Sequence, residues 1–219
     1  MTKKEILKKT EAFVKNSLEG AEGGHDWWHT LRVYRTALLI AEGEEADSLT
    51  IGLGALLHDI ADAKFHDGDE TIGPAIAKSF LADLKLPDKL IDEVVGIVEN
   101  ISFKNSLEKH NGKVKSKALE IVQDADRLDA IGAIGIARAF NYGGFRNRPL
   151  YDPEIPPLTN MSKEEYKKAK GPTINHFYEK LLSLKDKMNT ETGKKLAEER
   201  HQYMLDFLQQ FYGEWEGER

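Results

Sequence analysis

Ala55-Leu56-Leu57-His58-Asp59-Ile60-Ala61-Asp62 is an apolar run that ends abruptly in an imidazole and a carboxylate. It closes a helix predicted over roughly 47–59, in which Leu49, Ile51, Leu53, Ala55, Leu56 and Leu57 leave little polar face. A helix that is apolar all round belongs at the centre of a fold, with other helices around it. His58 and Asp59 then stand at the end of the central element. Neutral imidazole offers nitrogen and ionised carboxylate offers oxygen to a divalent cation. Buried without partners, both groups would be costly. Alternatively the helix simply ends there and both side chains meet water. Two ligands do not hold a catalytic metal, so the rest of the chain has to supply more.

Upstream, residues 3–19 read as an amphipathic helix, with Ile6, Leu7, Thr10, Phe13, Val14 and Leu18 at three- and four-residue steps. Gly20, Gly23 and Gly24 end it. A second helix starts at Asp26, a suitable N-cap, and runs to about Glu42, with Trp28, Leu31, Val33, Leu38, Leu39 and Ile40 as its apolar face. Downstream, the polar segment Asp62 to Glu70 reads as a loop, followed by helices near 71–84 and 88–100 on either side of Leu86-Pro87. Residues 102–113 are polar, with Asn111-Gly112 as a turn. One long helix is predicted over 114–140, then a loop over 141–160 that holds Gly143, Gly144, Pro149, Pro153, Pro156 and Pro157. So long a loop is unusual in a compact domain without a role. Ser162-Lys163-Glu164-Glu165 is a capping box for a short helix, and 173–188 and 191–213 read as two final helices. With no strand, repeat or linker, the chain reads as all-α.

At 219 residues, one domain over 1–219 is the simplest organisation, long enough to bury a sizeable core. Apolar residues make up 40% and charged residues 31%, and the formal charge is −6. That balance gives no general attraction to nucleic acid or to an anionic membrane, so any phosphate-binding patch has to be local. The chain has no cysteine, which excludes disulfides, thiolate metal sites and cysteine nucleophiles. A reducing cytoplasm fits. The first residues carry no signal-peptide core, and no uncharged apolar run approaches the ~20 residues of a membrane span. A homodimer is compatible with the sequence.

Asp124, Asp126 and Asp129 fall inside an otherwise apolar helix with Ala118, Leu119, Ile121, Val122, Leu128, Ile131, Ile134 and Ile136. Aspartate is a poor helix former that prefers caps and turns, so three in six residues call for compensation. Asp126 and Asp129 share a face with Val122 while Asp124 points elsewhere, and one solvated stripe does not serve all three. Arg127 is one partner and a bound cation another. His29 follows two tryptophans on the second helix. Two imidazoles and two carboxylates projecting from helices make a hard-to-borderline site open to water. It suits Mn, Fe, Co, Ni, Mg or Zn.

The order His29, His58-Asp59, Asp126 resembles the HD superfamily of metal-dependent phosphohydrolases across roughly residues 20–140. The segments His25-Asp26-Trp27-Trp28-His29-Thr30-Leu31-Arg32-Val33, Asp124-Ala125-Asp126-Arg127-Leu128-Asp129, Tyr142-Gly143-Gly144, Arg148-Pro149 and Leu184-Lys185-Asp186-Lys187-Met188-Asn189-Thr190 extend the likeness to a bacterial subgroup of HD hydrolases over nearly the whole chain. The resemblance implies an HD-domain helical bundle with a central metal site, a core about 20–140 and a C-terminal helical extension about 141–219. It makes His29, His58, Asp59 and Asp126 the ligands of one divalent metal. It implies cleavage of a phosphomonoester or phosphodiester, often of a nucleotide. Relatives with two metals use further histidines before the last aspartate. Here Glu99-Asn100-Ile101-Ser102-Phe103 has none, and only His66 and His110 intervene. One metal is expected, with His66 leaving a second site open.

Asp62 lies where some single-metal relatives carry a glutamate, and it is the candidate general acid or base or, alternatively, a loop carboxylate. Lys64 follows the doublet as a lysine does in several HD groups and is the candidate catalytic cation. Arg127, beside a ligand, and Arg148, in the long loop, are candidates for substrate phosphate, as is His25 for substrate or for support of His29. Each is alternatively a solvated charge. Two rival functions stay open. His25-x-x-x-His29 has the spacing of a zinc peptidase helix, with Asp26 where that motif has glutamate, although Gly23-Gly24 argues against helix at His25. A non-catalytic sensor of nucleotide or metal would keep the same scaffold.

Overall fold

The computed structural model describes residues 1–20, 24, 26–61, 69, 71–101, 116–158 and 171–219. The described residues form helices and turns, with no strand among them. Two compact units are distinguished, Met1–Asp126 and Arg127–Arg219. No helix among the described residues is long and apolar enough to cross a membrane.

The N-terminal unit is built around the apolar run. Helix α1 (Lys3–Ser17) opens with a capping box in which Thr2 and Glu5 each satisfy the other's backbone N–H. Helix α2 (Trp27–Gly43) starts one residue after Asp26, whose carboxylate accepts from the His29 backbone N–H at 2.8 Å. Helix α3 (Ser48–Leu57) is capped by Asp47 through Thr50, and every one of its residues after Ser48 is buried. It packs against α1, α2 and helix α5 (Asp88–Asn100), and α5 in turn packs against helix α4 (Ile72–Asp83). This is the central placement that its composition requires. Gly54 lets α5 come close: a Cβ there would stand 2.8 Å from Ile97 Cδ1. Helix α6 (Lys117–Asp129) brings Gln123 to the end of α5, where its amide donates to the Asn100 carbonyl at 3.1 Å.

Some sequence expectations need correction. Trp28 and Leu39, assigned to the apolar face of α2, are 61% and 52% exposed. The buried stripe is instead His29, Thr30, Val33, Tyr34, Ala37, Ile40 and Ala41, in which small and polar side chains lie inside. The predicted helix 114–140 is two helices. Chain direction changes after Asp129, and Gly132, with φ +73°, opens helix α7 (Gly132–Phe145). Side-chain-bearing residues rarely adopt that backbone, and a Cβ at Gly132 would also meet Arg200 at 3.0 Å. Residues 141–145, expected in a loop, are the last turn of α7. The expected helix 173–188 is the short helix α8 (Asn175–Glu179) followed by a 3-10 helix (Leu181–Lys187). The polar segments around 62–70 and 102–113 and the capping box at Ser162 lie wholly or almost wholly outside the described residues.

In the C-terminal unit, helix α9 (Glu191–Trp215) packs against α7 and the 3-10 helix. An aromatic core fills the contact, with Phe140, Phe177, Phe207 and Phe211 at centroid separations of 5.9–6.4 Å. Asp129, buried at the end of α6, pairs with Arg138 of α7. Arg200 of α9 donates to the Leu128 carbonyl.

Candidate metal centre

His58 is the first residue past α3, with its ring buried where the apolar run ends. Its Nδ1 lies 2.8 Å from the carbonyl oxygen of Ala55, a buried acceptor in the last helical turn. A carbonyl only accepts, so Nδ1 carries the hydrogen and the neutral ring keeps its lone pair on Nε2. That Nε2 is buried and has no hydrogen-bond partner. Such an orphaned lone pair is costly unless something electron-poor meets it.

Two other groups converge on it. Asp126 Oδ1 is 4.0 Å from His58 Nε2 and 3.4 Å from His29 Nε2. The two imidazoles meet edge to face, with centroids 5.4 Å apart. One donor atom from each of His29, His58 and Asp126 lies within 4.8 Å of the others. A cation between them would be reached by all three at ordinary ligand distances. The Asp26 cap fixes the first turn of α2 and therefore the position of His29. Asp59 Oδ2 stands 4.0 Å from His29 Nε2, at the edge of the group and outside the three-residue cluster.

Asp126 keeps 41% of its side-chain exposure, so the cluster is reachable from water. Burial pushes its carboxyl pKa up, but the hydrogen bond from His29 and the electrostatic pull of the two imidazoles outweigh it and hold the pKa below the usual carboxylate range, with Asp59 opposing them. Asp124 and Asp129 are both buried, and Asp129 pairs with Arg138.

A structure of an HD-superfamily hydrolase from Bacillus thuringiensis is 42% identical, with a TM-score of 0.79 over 98% of this chain and 99% of that one. A model of the HD domain matches residues 27–131, which contain all four residues of the ordered set. The chain belongs to the HD superfamily. YpgQ, an uncharacterised protein of Bacillus subtilis, is 38% identical to this HD-domain chain over 204 residues, which cover 90% of this chain and 88% of YpgQ. A crystal structure of YpgQ in complex with ADP aligns with a TM-score of 0.75 and 33% identity over 98% of this chain and 97% of that one.

Of the remaining candidate residues, His25, Asp62, Lys64, His66 and His110 lie outside the described residues. Arg127 and Arg148 belong to the C-terminal unit. Arg127 donates to the Lys187 carbonyl at 2.8 Å. Arg148 lies over the Tyr142 ring, 5.8 Å from its centroid. Sequence reasoning overlooked Ala55, whose carbonyl orients His58. The signal for Ala55 was its place three residues before a histidine at a helix end.

Proposed function

We propose that this HD-domain chain is a metal-dependent phosphohydrolase that cleaves a phosphoester of a nucleotide. The observation that carries the metal is the buried, unpartnered Nε2 of His58, aimed at the same point as His29 and Asp126. Nitrogen, nitrogen and carboxylate oxygen suit a borderline divalent ion, and Asp59 beside His29 is the proposed fourth ligand. When bound, such an ion lowers the pKa of a coordinated water and polarises a phosphoryl oxygen.

The protein groups have separate tasks. Ala55 fixes the ring of His58 and its tautomer. Asp26 fixes the turn that presents His29. Asp126 is ionised through the neutral pH range, because its neighbours hold its pKa low. The side of Asp126 open to solvent is where substrate would enter. Asp62, three residues after Asp59, is the proposed general acid or base, and Lys64 and His25 the proposed partners of substrate phosphate. Arg127 and Arg148 are proposed for phosphate on their charge alone. His29 clusters with His58 and Asp126, neither of which belongs to the His25-x-x-x-His29 spacing, and this favours the phosphohydrolase reading over a peptidase built on that spacing.

The ADP held by YpgQ supports a nucleotide as the substrate class. The decisive experiment is a panel of nucleoside mono-, di- and triphosphates, offered to protein loaded separately with Mn, Co, Ni and Mg. Turnover with at least one metal, lost on chelation, is expected. Nucleotide binding without turnover under any metal would make the chain a sensor instead.

A further inference from the structure

Trp28 leaves an indole in water beside a metal-cluster histidine. It precedes His29 in the first turn of α2, and it is 61% exposed while His29 is buried. Single exposed apolar side chains are common and carry no meaning alone. Trp28 differs in size and in place. An indole is among the largest apolar surfaces that a side chain can leave in water. Helix α2 already buries a complete stripe without it, from His29 to Ala41. Trp215, also partly exposed, meets Tyr151 edge to face at 5.1 Å and stacks with Phe211 at 6.0 Å. Trp28 has no such ring contact among the described residues.

The helix sets its place. Helical side chains lean toward the N-terminus, so one in the first turn covers the N-terminal end. The Asp26 carboxylate pins that turn through the His29 N–H at 2.8 Å, and the Thr30 N–H donates to the Asp26 carbonyl at 3.1 Å. Successive residues stand about 100° apart around a helix. His29 turns inward to His58 and Asp126, and Trp28 next to it faces solvent. The cluster is itself reachable from water through the half-exposed Asp126.

We propose that Trp28 is the platform on which the base of a nucleotide substrate stacks. The inference rests on the nucleotide reading above and names the residue that holds the base. Every base offers a π face, so stacking on an indole tolerates more than one base. A sugar phosphate without a base gains nothing from it. The substrate class is then nucleotides of several bases, with phosphate toward the metal cluster and base toward Trp28.

The test is calorimetric titration of the Mn-loaded full chain with two probes, the α,β-methylene analogue of ADP and ribose 5-phosphate. The wild type is expected to bind the ADP analogue. Trp28→Ala is expected to weaken that binding about tenfold, the effect of one lost base–aromatic stack. Trp28→Leu keeps apolar bulk without a π face and is expected to match it. Trp28→Phe, which restores a π face, is expected to recover most of the affinity. Ribose 5-phosphate is expected to respond to none of the three substitutions, and Mn content by elemental analysis to stay that of the wild type. Equal binding of the ADP analogue by Trp28→Ala or Trp28→Leu overturns the proposal and leaves the nucleotide reading standing. So does a loss that Trp28→Phe does not recover, or one that comes with lost Mn, because either marks a structural role. Absence of wild-type binding overturns the proposal and the nucleotide reading together.

Discussion

The Ala55 carbonyl holds His58 Nδ1 at 2.8 Å and thereby turns the other ring nitrogen, buried and unpartnered, toward Asp126. One backbone acceptor at the end of α3 thus decides which lone pair the site presents. His58→Ala removes that lone pair, and Asp126→Ala removes the carboxylate between the two imidazoles. Both variants are expected to lose bound metal by elemental analysis. Added Mn or Co should raise the Tm of the wild type, because a ligand of the native state alone stabilises it. It should leave both variants where they were. Full metal in either would remove the ligand assignment.

Asp129 sits three residues after Asp126 but is expected to behave differently. It is buried and paired with Arg138, so Asp129→Ala and Arg138→Ala should each lower stability by about 1–3 kcal/mol in urea denaturation. Both should retain the metal of the wild type. Loss of metal from Asp129→Ala would mean that the wrong aspartate of α6 has been assigned.

The central helix was legible because its apolar run has no polar face, and Asp26 because a short polar side chain precedes a periodic segment. The ligand order was legible because histidine and aspartate next to such a run are chemically out of place. The break after Asp129 was not, since a glycine inside an apolar stretch reads equally as tolerated helix or as a positive-φ start, and only the contact with Arg200 decides. Trp28 and Leu39 misled for another reason. Apolar character marks a face only when the face needs it, and α2 buries His29, Thr30 and two alanines instead. The partner of Asp129 lies nine residues on, across the break, where no helical spacing would have put it.

Asp62→Asn should separate chemistry from metal binding. The amide is nearly isosteric and removes no assigned ligand, so metal content and KM are expected to hold. A general acid or base contributes typically ~10²–10⁴-fold, and kcat should fall by that much, with one limb of the pH–rate profile displaced. A kcat within a few-fold of wild type would make Asp62 a bystander, and lost metal would make it a ligand.

His176 supplies a pH dependence of stability in the C-terminal unit. Burial, with Lys180 and Arg148 adding to it, lowers its pKa to about 4, from an ordinary value of 6.5 that the unfolded chain restores. Above 6.5 the ring is neutral in both states and costs nothing. As the pH falls from 6.5 toward 4, the unfolded chain takes up the proton and the folded chain does not. Stability therefore declines over that window and levels off below it. The full difference corresponds to about 3 kcal/mol. His176→Gln keeps a polar side chain of similar reach and cannot titrate. Urea denaturation of the two proteins at intervals between pH 7.5 and 4 should show a steeper decline for the wild type, with the difference confined to that window. Parallel curves would mean that the ring is protonated in the folded chain despite its two cationic neighbours.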